Sequence, residues 1–162
     1  MVVITEARRP VDPAELSGRE RDTLSLSWEE RRWTRKRVLT SGGREVALAL
    51  PTGSVLQPGA ILAVEVDWYL EIEARAEPVL SISPRDREEA IRVALEVGNR
   101  HFSLALDDES LLVPDDPAME QLLRRLGVVW ERRRAVYDPI GGGGAAGHRP
   151  IDGHTHGSAE HG

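Results

Sequence analysis

Hydrophobic and polar residues alternate through the first half of the chain, which is the pattern of β-strands with one buried face. The alternation is clearest at residues 46–50 and 70–74. Turn residues separate the apolar runs: Ser41-Gly42-Gly43 suits a hairpin, and Gln57-Pro58-Gly59 suits a tight turn in which proline presets φ and glycine takes a positive φ. The pattern predicts six strands, at residues 2–5, 23–28, 37–40, 44–50, 61–66 and 68–74. Residues 1–76 are therefore predicted to form a small all-β domain.

From residue 77 onward the pattern changes, and predicted strands alternate with predicted helices. The first strand of this region is expected at residues 78–83. Ser83 is then placed to cap a helix that has Pro84 at its first position and ends at Gly98. The buried face of this helix is predicted to consist of Ile91, Ala94 and Leu95. A new strand is expected to begin at His101.

The rest of the second region is predicted to contain a hairpin, a second helix and a last strand. Strands at residues 101–106 and 111–113 flank a polar turn at 107–110. Asp116 and Pro117 are predicted to begin the second helix and Gly127 to end it, and its core face is Met119, Leu122, Leu123 and Leu126. A strand at 128–130 completes the order βαββαβ, which is that of the ferredoxin-like fold with both helices on one face of an antiparallel sheet. We therefore predict an α+β chain with a second domain at residues 77–140.

Composition excludes several classes of protein. The 162 residues are 40% hydrophobic and 30% charged, and no apolar run approaches the roughly 20 residues that span a bilayer. The charged N-terminus lacks the apolar core of a signal peptide, so a cytoplasmic location without membrane contact is expected. The absence of cysteine excludes disulfides, thiolate nucleophiles and Cys-type zinc sites. A net charge of -6 argues against general nucleic-acid binding.

Histidine is distributed unevenly, because four of the 5 histidines lie beyond residue 147: His148, His154, His156 and His161. Residues 141–162 are rich in glycine and nearly free of large apolar side chains, so they are predicted to form a disordered tail. His154 and His156 form a His-x-His pair, and neutral imidazole suits Ni, Cu or Zn. The tail is therefore predicted to bind metal, the alternatives being a purification tag or an inert polar segment.

The remaining histidine, His101, lies in a motif with a recognisable context. Gly98-Asn99-Arg100-His101 falls between a predicted helix and a predicted strand, and is followed by Pro114-Asp115-Asp116-Pro117 and Leu122-Leu123-Arg124-Arg125-Leu126-Gly127. Together with segments 24–37 and 46–56 and the histidine-bearing tail, these motifs resemble the UreE-type urease accessory proteins, which are nickel metallochaperones. The resemblance extends over nearly the whole chain.

The resemblance implies a peptide-binding-like β domain, a ferredoxin-like metal-binding domain and a homodimer that presents one motif histidine from each subunit to a shared metal ion. Transferred to this sequence, that ligand is His101, with tail histidines completing the coordination. The implied cargo is Ni(II), with Zn(II) or Cu(II) also suited to imidazole. The implied partners are urease and the other urease accessory proteins, including the GTPase. The implied role is delivery of nickel to apo-urease, without enzymatic activity.

Other functions are weighed on the same residues. Catalysis is disfavoured because no nucleophile with a base, phosphate loop or His-Glu-x-x-His motif is present. RNA binding is disfavoured because only Phe102 and Trp130 are aromatic on the candidate sheet strands. A general Zn/Cu/Ni-buffering, peptide-binding protein of the co-chaperone type remains the alternative, in which His101 is structural. Arg31–Arg37 and Arg132–Arg134 are expected to be solvated faces, or else a docking surface for an acidic partner.

Overall fold

The computed structural model describes residues 1–141. The predicted disordered tail, apart from Gly141, lies outside these residues, and so do its four histidines. Within the described part no helix combines the length and apolar character that crossing a membrane requires.

The first half of the chain forms six strands, as its alternating pattern predicts, and the structure divides them between two three-stranded sheets. The strands are β1 (Val2–Ile4), β2 (Glu20–Leu26), β3 (Arg35–Leu39), β4 (Glu45–Ala49), β5 (Ile61–Val64) and β6 (Trp68–Ala74). One sheet has the order β1-β4-β3 and the other β2-β6-β5. Their inner faces enclose one hydrophobic core, which includes Val46, Leu48, Leu70 and Ile72. The period of two at residues 46–50 and 70–74 therefore correctly indicated the buried face.

Both predicted turns are present. Residues 41–43 join β3 to the antiparallel β4, with Gly43 at φ 80°. At the second turn the Ala60 N–H donates to the Gln57 carbonyl at 3.0 Å, and Gly59 has φ 82°. Two helical turns were not predicted in this region: α1 (Pro13–Leu16) and a 3-10 turn at Glu30–Arg32. Both are too short to show a helical period in the sequence.

The second half of the chain has the predicted ferredoxin-like arrangement. Its elements are β7 (Glu77–Ser83), α2 (Arg87–Asn99), β8 (Ala105–Asp107), β9 (Ser110–Pro114), α3 (Pro117–Leu126) and β10 (Val129–Ala135). The sheet is antiparallel with the order β10-β7-β9-β8. Both helices cover the same face, where Val93 and Val97 of α2 join Met119 and Leu122 of α3 in one core.

The ends of α3 agree with the prediction, but the start of α2 does not. Asp116 caps α3, whose first residue is Pro117, and Gly127 ends it in the left-handed conformation at φ 67°. Ser83 does not cap α2: it remains in β7, where it pairs with Val129. The cap is Asp86, which accepts a hydrogen bond from the Glu89 N–H at 2.8 Å. Either residue type caps a helix well, and the length of β7 decides between them.

The predicted buried face of α2 is also wrong. Val93 and Val97 enter the core and Ala90 packs against it. Ala94 is exposed, Ile91 is 51% exposed and Leu95 is 63% exposed. The helix has two apolar stripes, and a periodicity analysis cannot tell which one faces the sheet.

The two halves of the chain meet at a third cluster, on the face of the second sheet opposite the helices. Val79, Ala105, Leu112 and Tyr137 are buried there, and Trp28 from the first half packs against them. The Trp28 N–H also donates to the Glu77 carboxylate at 2.8 Å. The four tryptophans are all partly buried, which agrees with the expectation that they are packing anchors.

Candidate metal centre

His101 lies at the C-terminal end of α2, where the backbone forms a Schellman motif. The His101 N–H donates to the Gly98 carbonyl at 2.9 Å, and the Phe102 N–H donates to the Val97 carbonyl at 3.3 Å. These are the two bonds by which this motif satisfies the last carbonyls of a helix. Phe102 also packs against the core cluster that contains Val97, a hydrophobic contact that often accompanies this motif. The expected strand does not begin at His101, because β8 starts at Ala105.

The Schellman geometry places His101 in the left-handed region, at φ 60°. Glycine is the usual residue at this position, because a side chain in the left-handed conformation costs about 1–2 kcal/mol. A histidine there is unfavourable for the fold, and such residues are concentrated at functional sites. The sequence did not reveal this, because Gly98 was predicted to end the helix, whereas α2 runs to Asn99.

The surroundings of His101 are open. The residue is exposed, while Phe102 and Leu104 after it are partly buried in the helix-covered core. The C-terminal end of α2 has the partial negative charge of the helix dipole, which favours a nearby cation by about 0.3–1 kcal/mol. Arg100 beside it is ion-paired with Glu96 at 2.8 Å, so part of its positive charge is already compensated. An exposed imidazole at this position can bind a metal ion and release it without the protein opening.

The structure does not bring a complete set of ligands to His101. Across residues 1–141, no three His, Asp or Glu side chains lie close enough together to hold one metal ion. His148, His154, His156 and His161 lie outside the described residues, so their place in the site stays a prediction. His101 is therefore only a candidate ligand, and an exposed apolar stripe, Ile91 and Leu95, lies on the helix that leads to it. This stripe was missed in the sequence because it was assigned to the core.

The arginine-rich segments are only partly solvated. Arg31 is buried, contrary to expectation: it is 1% exposed, and its guanidinium donates to the carbonyls of Leu26 and Tyr137. Burial lowers the pKa of Arg31, while the negative charges of Asp138 and Glu77 act to raise it. Arg132 and Arg133 are exposed or half-buried and pair with acidic side chains of their own domain. Within the predicted docking surface, Arg35, Lys36 and Arg37 are exposed on the edge strand β3, and Arg37 lies 3.8 Å from the Glu45 carboxylate.

Comparison with known proteins gives one family for both halves of the chain. The family model described as the UreE urease accessory protein N-terminal domain matches residues 4–75, and that of its C-terminal domain matches residues 77–162. A urease accessory protein UreE of Synechococcus sp. (strain JA-3-3Ab) is 38% identical over 133 residues, covering 82% of this chain and 83% of that protein.

Two further relatives have the same name. The protein of Ralstonia nicotianae is 35% identical over 126 residues, covering 78% of this chain and 60% of the relative. That of Ectopseudomonas mendocina is 36% identical over 126 residues, covering 77% and 76%. With both family models matched in order, and with the β-rich and ferredoxin-like halves that the structure shows, the chain belongs to the UreE family of urease accessory proteins.

Proposed function

We propose that this protein is a nickel chaperone that binds Ni(II) through His101 and delivers it to urease during assembly of the metal centre. The observation that supports it best is the exposed histidine in a backbone conformation that favours glycine. A residue with no role beyond ending the helix would be under no constraint to be histidine there. Neutral imidazole is a good ligand for Ni(II), and the chain has no thiolate to compete with it.

We propose further that the site is completed by a second copy of the chain. A single imidazole binds nickel weakly, and a twofold axis at His101 would bring two nitrogens to one ion. The exposed apolar residues Ile91 and Leu95 lie one helical turn apart on α2, and the helix runs from them to His101. A dimer that covers this stripe would remove it from water and place the two histidines at the same interface.

The tail histidines are proposed as additional ligands. The Ile140 N–H donates to the Leu104 carbonyl at 2.8 Å, so the tail begins beside the turn that contains His101. An extended chain spans at most about 3.3–3.6 Å per residue, which allows His154 and His156 to reach an ion held at His101. Tethered ligands act at an effective concentration on the order of millimolar. They can also leave the metal first when urease or another accessory protein offers its own ligands.

A calorimetric nickel titration of the full chain beside His101→Ala tests the ligand role. We expect the variant to lose the tightest class of site, at about one ion per two chains on the two-histidine geometry, and to keep weaker binding by the tail. Identical titrations would make His101 structural and would favour the alternative function, a peptide-binding protein whose tail buffers Zn, Cu or Ni.

Sedimentation of the metal-free protein tests the dimer. Leu95→Asp places a charge on the exposed stripe and should shift the protein toward monomer. Val66→Asp is the matched control, because Val66 is 84% exposed and lies in the first half of the chain. Equal sedimentation of both variants and the parent protein would show that the α2 stripe is not the interface.

A further inference from the structure

The turn that contains His101 is tied to the segment that follows the last strand. Ser103 and Tyr137 share a hydrogen bond between their hydroxyl groups at 2.7 Å. One residue further along, the Leu104 carbonyl accepts the hydrogen bond from the Ile140 N–H. Residues 101–104 form no ladder pairs with a neighbouring strand. Their position is therefore set by the Schellman motif, by the packing of Phe102 and Leu104 against the helix-covered core, and by these two bonds.

Tyr137 is held rigidly. It is 2% exposed and lies in the cluster with Val79, Ala105 and Leu112. Burial raises the pKa of its phenol, so the hydroxyl stays protonated at neutral pH and remains able to donate. A packed aromatic ring with a protonated hydroxyl is a fixed point from which Ser103 can be positioned.

A buried arginine from the first half of the chain, Arg31, binds the backbone carbonyl of Tyr137. The Arg31 Nη2 atom donates to the Tyr137 carbonyl at 2.9 Å, and the Asp138 carboxylate lies 3.9 Å from the same nitrogen. The Nη1 atom donates to the Leu26 carbonyl at 3.3 Å, at the end of β2. Since a buried guanidinium is costly unless its donors are satisfied, these contacts fix both carbonyls in place.

We propose that Tyr137 is a positioning residue for His101, acting through Ser103, and that Arg31 supports it from the β-rich half of the chain. This inference rests on the proposed role of His101 as a metal ligand. The Arg31 guanidinium holds the backbone carbonyl of Tyr137, and the Tyr137 hydroxyl bonds to Ser103, which lies two residues from His101 in the chain. The β-rich half thereby contributes to the geometry of a site that it does not contain.

Tyr137→Phe tests the connection, because it removes the hydroxyl and keeps the buried ring. Tyr69→Phe is the matched control: Tyr69 is the other of the 2 tyrosines in the chain, is partly buried, and lies on β6. We expect Tyr137→Phe to weaken Ni(II) binding at the tight site by about threefold to tenfold, the range that one net hydrogen bond supports. Tyr69→Phe should leave the affinity unchanged. Both variants are titrated as full chains well below their unfolding temperatures.

Ser103→Ala and the double variant complete a mutant cycle. If the two hydroxyls act through their mutual bond, the losses in nickel affinity are non-additive, and the double variant binds about as weakly as either single one. The imidazole proton resonances of His101 in the metal-free protein give a second readout. They should shift in Tyr137→Phe and Ser103→Ala, but not in Tyr69→Phe.

The outcomes separate this inference from the proposed function. In one outcome, His101→Ala abolishes the tight site, but Tyr137→Phe binds nickel like the Tyr69→Phe control and leaves the His101 resonances unshifted. The positioning role is then wrong and the ligand role stands. If His101→Ala has no effect on the titration, the proposed function fails, and this inference fails with it.

Discussion

Replacing His101 with glycine should make the protein more stable and abolish the proposed nickel site. The residue occupies the C′ position of a Schellman motif at φ 60°, and both backbone hydrogen bonds of the motif come from N–H groups that glycine retains. His101→Gly therefore removes the steric cost of a Cβ atom in the left-handed region without removing a hydrogen bond. His101→Ala keeps that cost and removes the imidazole, so the two variants separate stability from metal binding.

The size of the effect follows from two opposing terms. A side chain in the left-handed region costs about 1–2 kcal/mol, and histidine is among the residues that tolerate this region better than most. Glycine loses more conformational freedom on folding than histidine does, and this offsets about 0.4–1 kcal/mol of the gain from removing the side chain. The net gain is about 0.5–1 kcal/mol in the free energy of unfolding. For a chain of this size the gain corresponds to a rise of about 1–4 °C in Tm.

Urea and thermal unfolding of the metal-free proteins, with a chelator present, measure the gain. Asp108→Gly is a matched control, because Asp108 also has a positive φ, of 52°, but lies in the turn between β8 and β9. We expect both glycine variants to be more stable than the parent protein, and Asp108→Gly alone to keep the tight nickel site. Equal stability of His101→Gly and His101→Ala would refute the argument from strain. Retention of the tight site in His101→Gly would refute the ligand role.

Three other predictions concern the rest of the molecule. Asp22→Asn should lower the free energy of unfolding by about 1–3 kcal/mol at neutral pH. Burial acts to raise the pKa of the Asp22 carboxyl, but the hydrogen bonds that it accepts from Thr40, Arg44 and neighbouring N–H groups outweigh burial, so the pKa is lowered. The stabilisation is present above the pKa of an unfolded aspartate and is lost as pH falls through the lowered value. Urea unfolding should therefore show the difference in free energy of unfolding between variant and parent becoming smaller in acid. A difference independent of pH would contradict this. Reversing the charges of Arg35, Lys36 and Arg37 to glutamate should weaken capture by urease accessory proteins in a pull-down and leave the nickel titration unchanged, whereas unaltered capture would exclude this surface. Nickel affinity should fall as pH drops, because protons compete with the metal for the imidazole nitrogens, and calorimetry that finds equal affinity at mildly acid and mildly alkaline pH would contradict a site made of histidines.

Local signals in the sequence predicted helix ends well where one candidate was present, and less well where two competed. Asp116, Pro117 and Gly127 mark the ends of α3 without a rival, and the structure uses all three. At α2, Ser83 and Asp86 are both good caps, and the choice depends on how far β7 pairs with β10. Strand pairing is a long-range interaction, so the local sequence does not contain it.

The site was predictable in part. The sequence singled out His101 through its motif and its isolation from the tail. Its left-handed backbone, the exposed stripe at Ile91 and Leu95, and the buried position of Arg31 came only from the structure. Arg31 lies in a run of charged residues, which in a sequence is typical of a solvated face. Its burial depends on the Tyr137 carbonyl, 106 positions away along the chain.

The sequence by itself determined the fold class and the order of the main elements, because these follow from hydrophobic period, turn residues and local motifs. The candidate ligand came from the resemblance of those motifs to a known family. The tertiary structure alone decided which stripe of α2 faces the sheet, what surrounds His101 and how the two halves of the chain meet. These features depend on contacts between residues distant in sequence. Such contacts form, and stabilise the protein, only once the strands and helices are packed together.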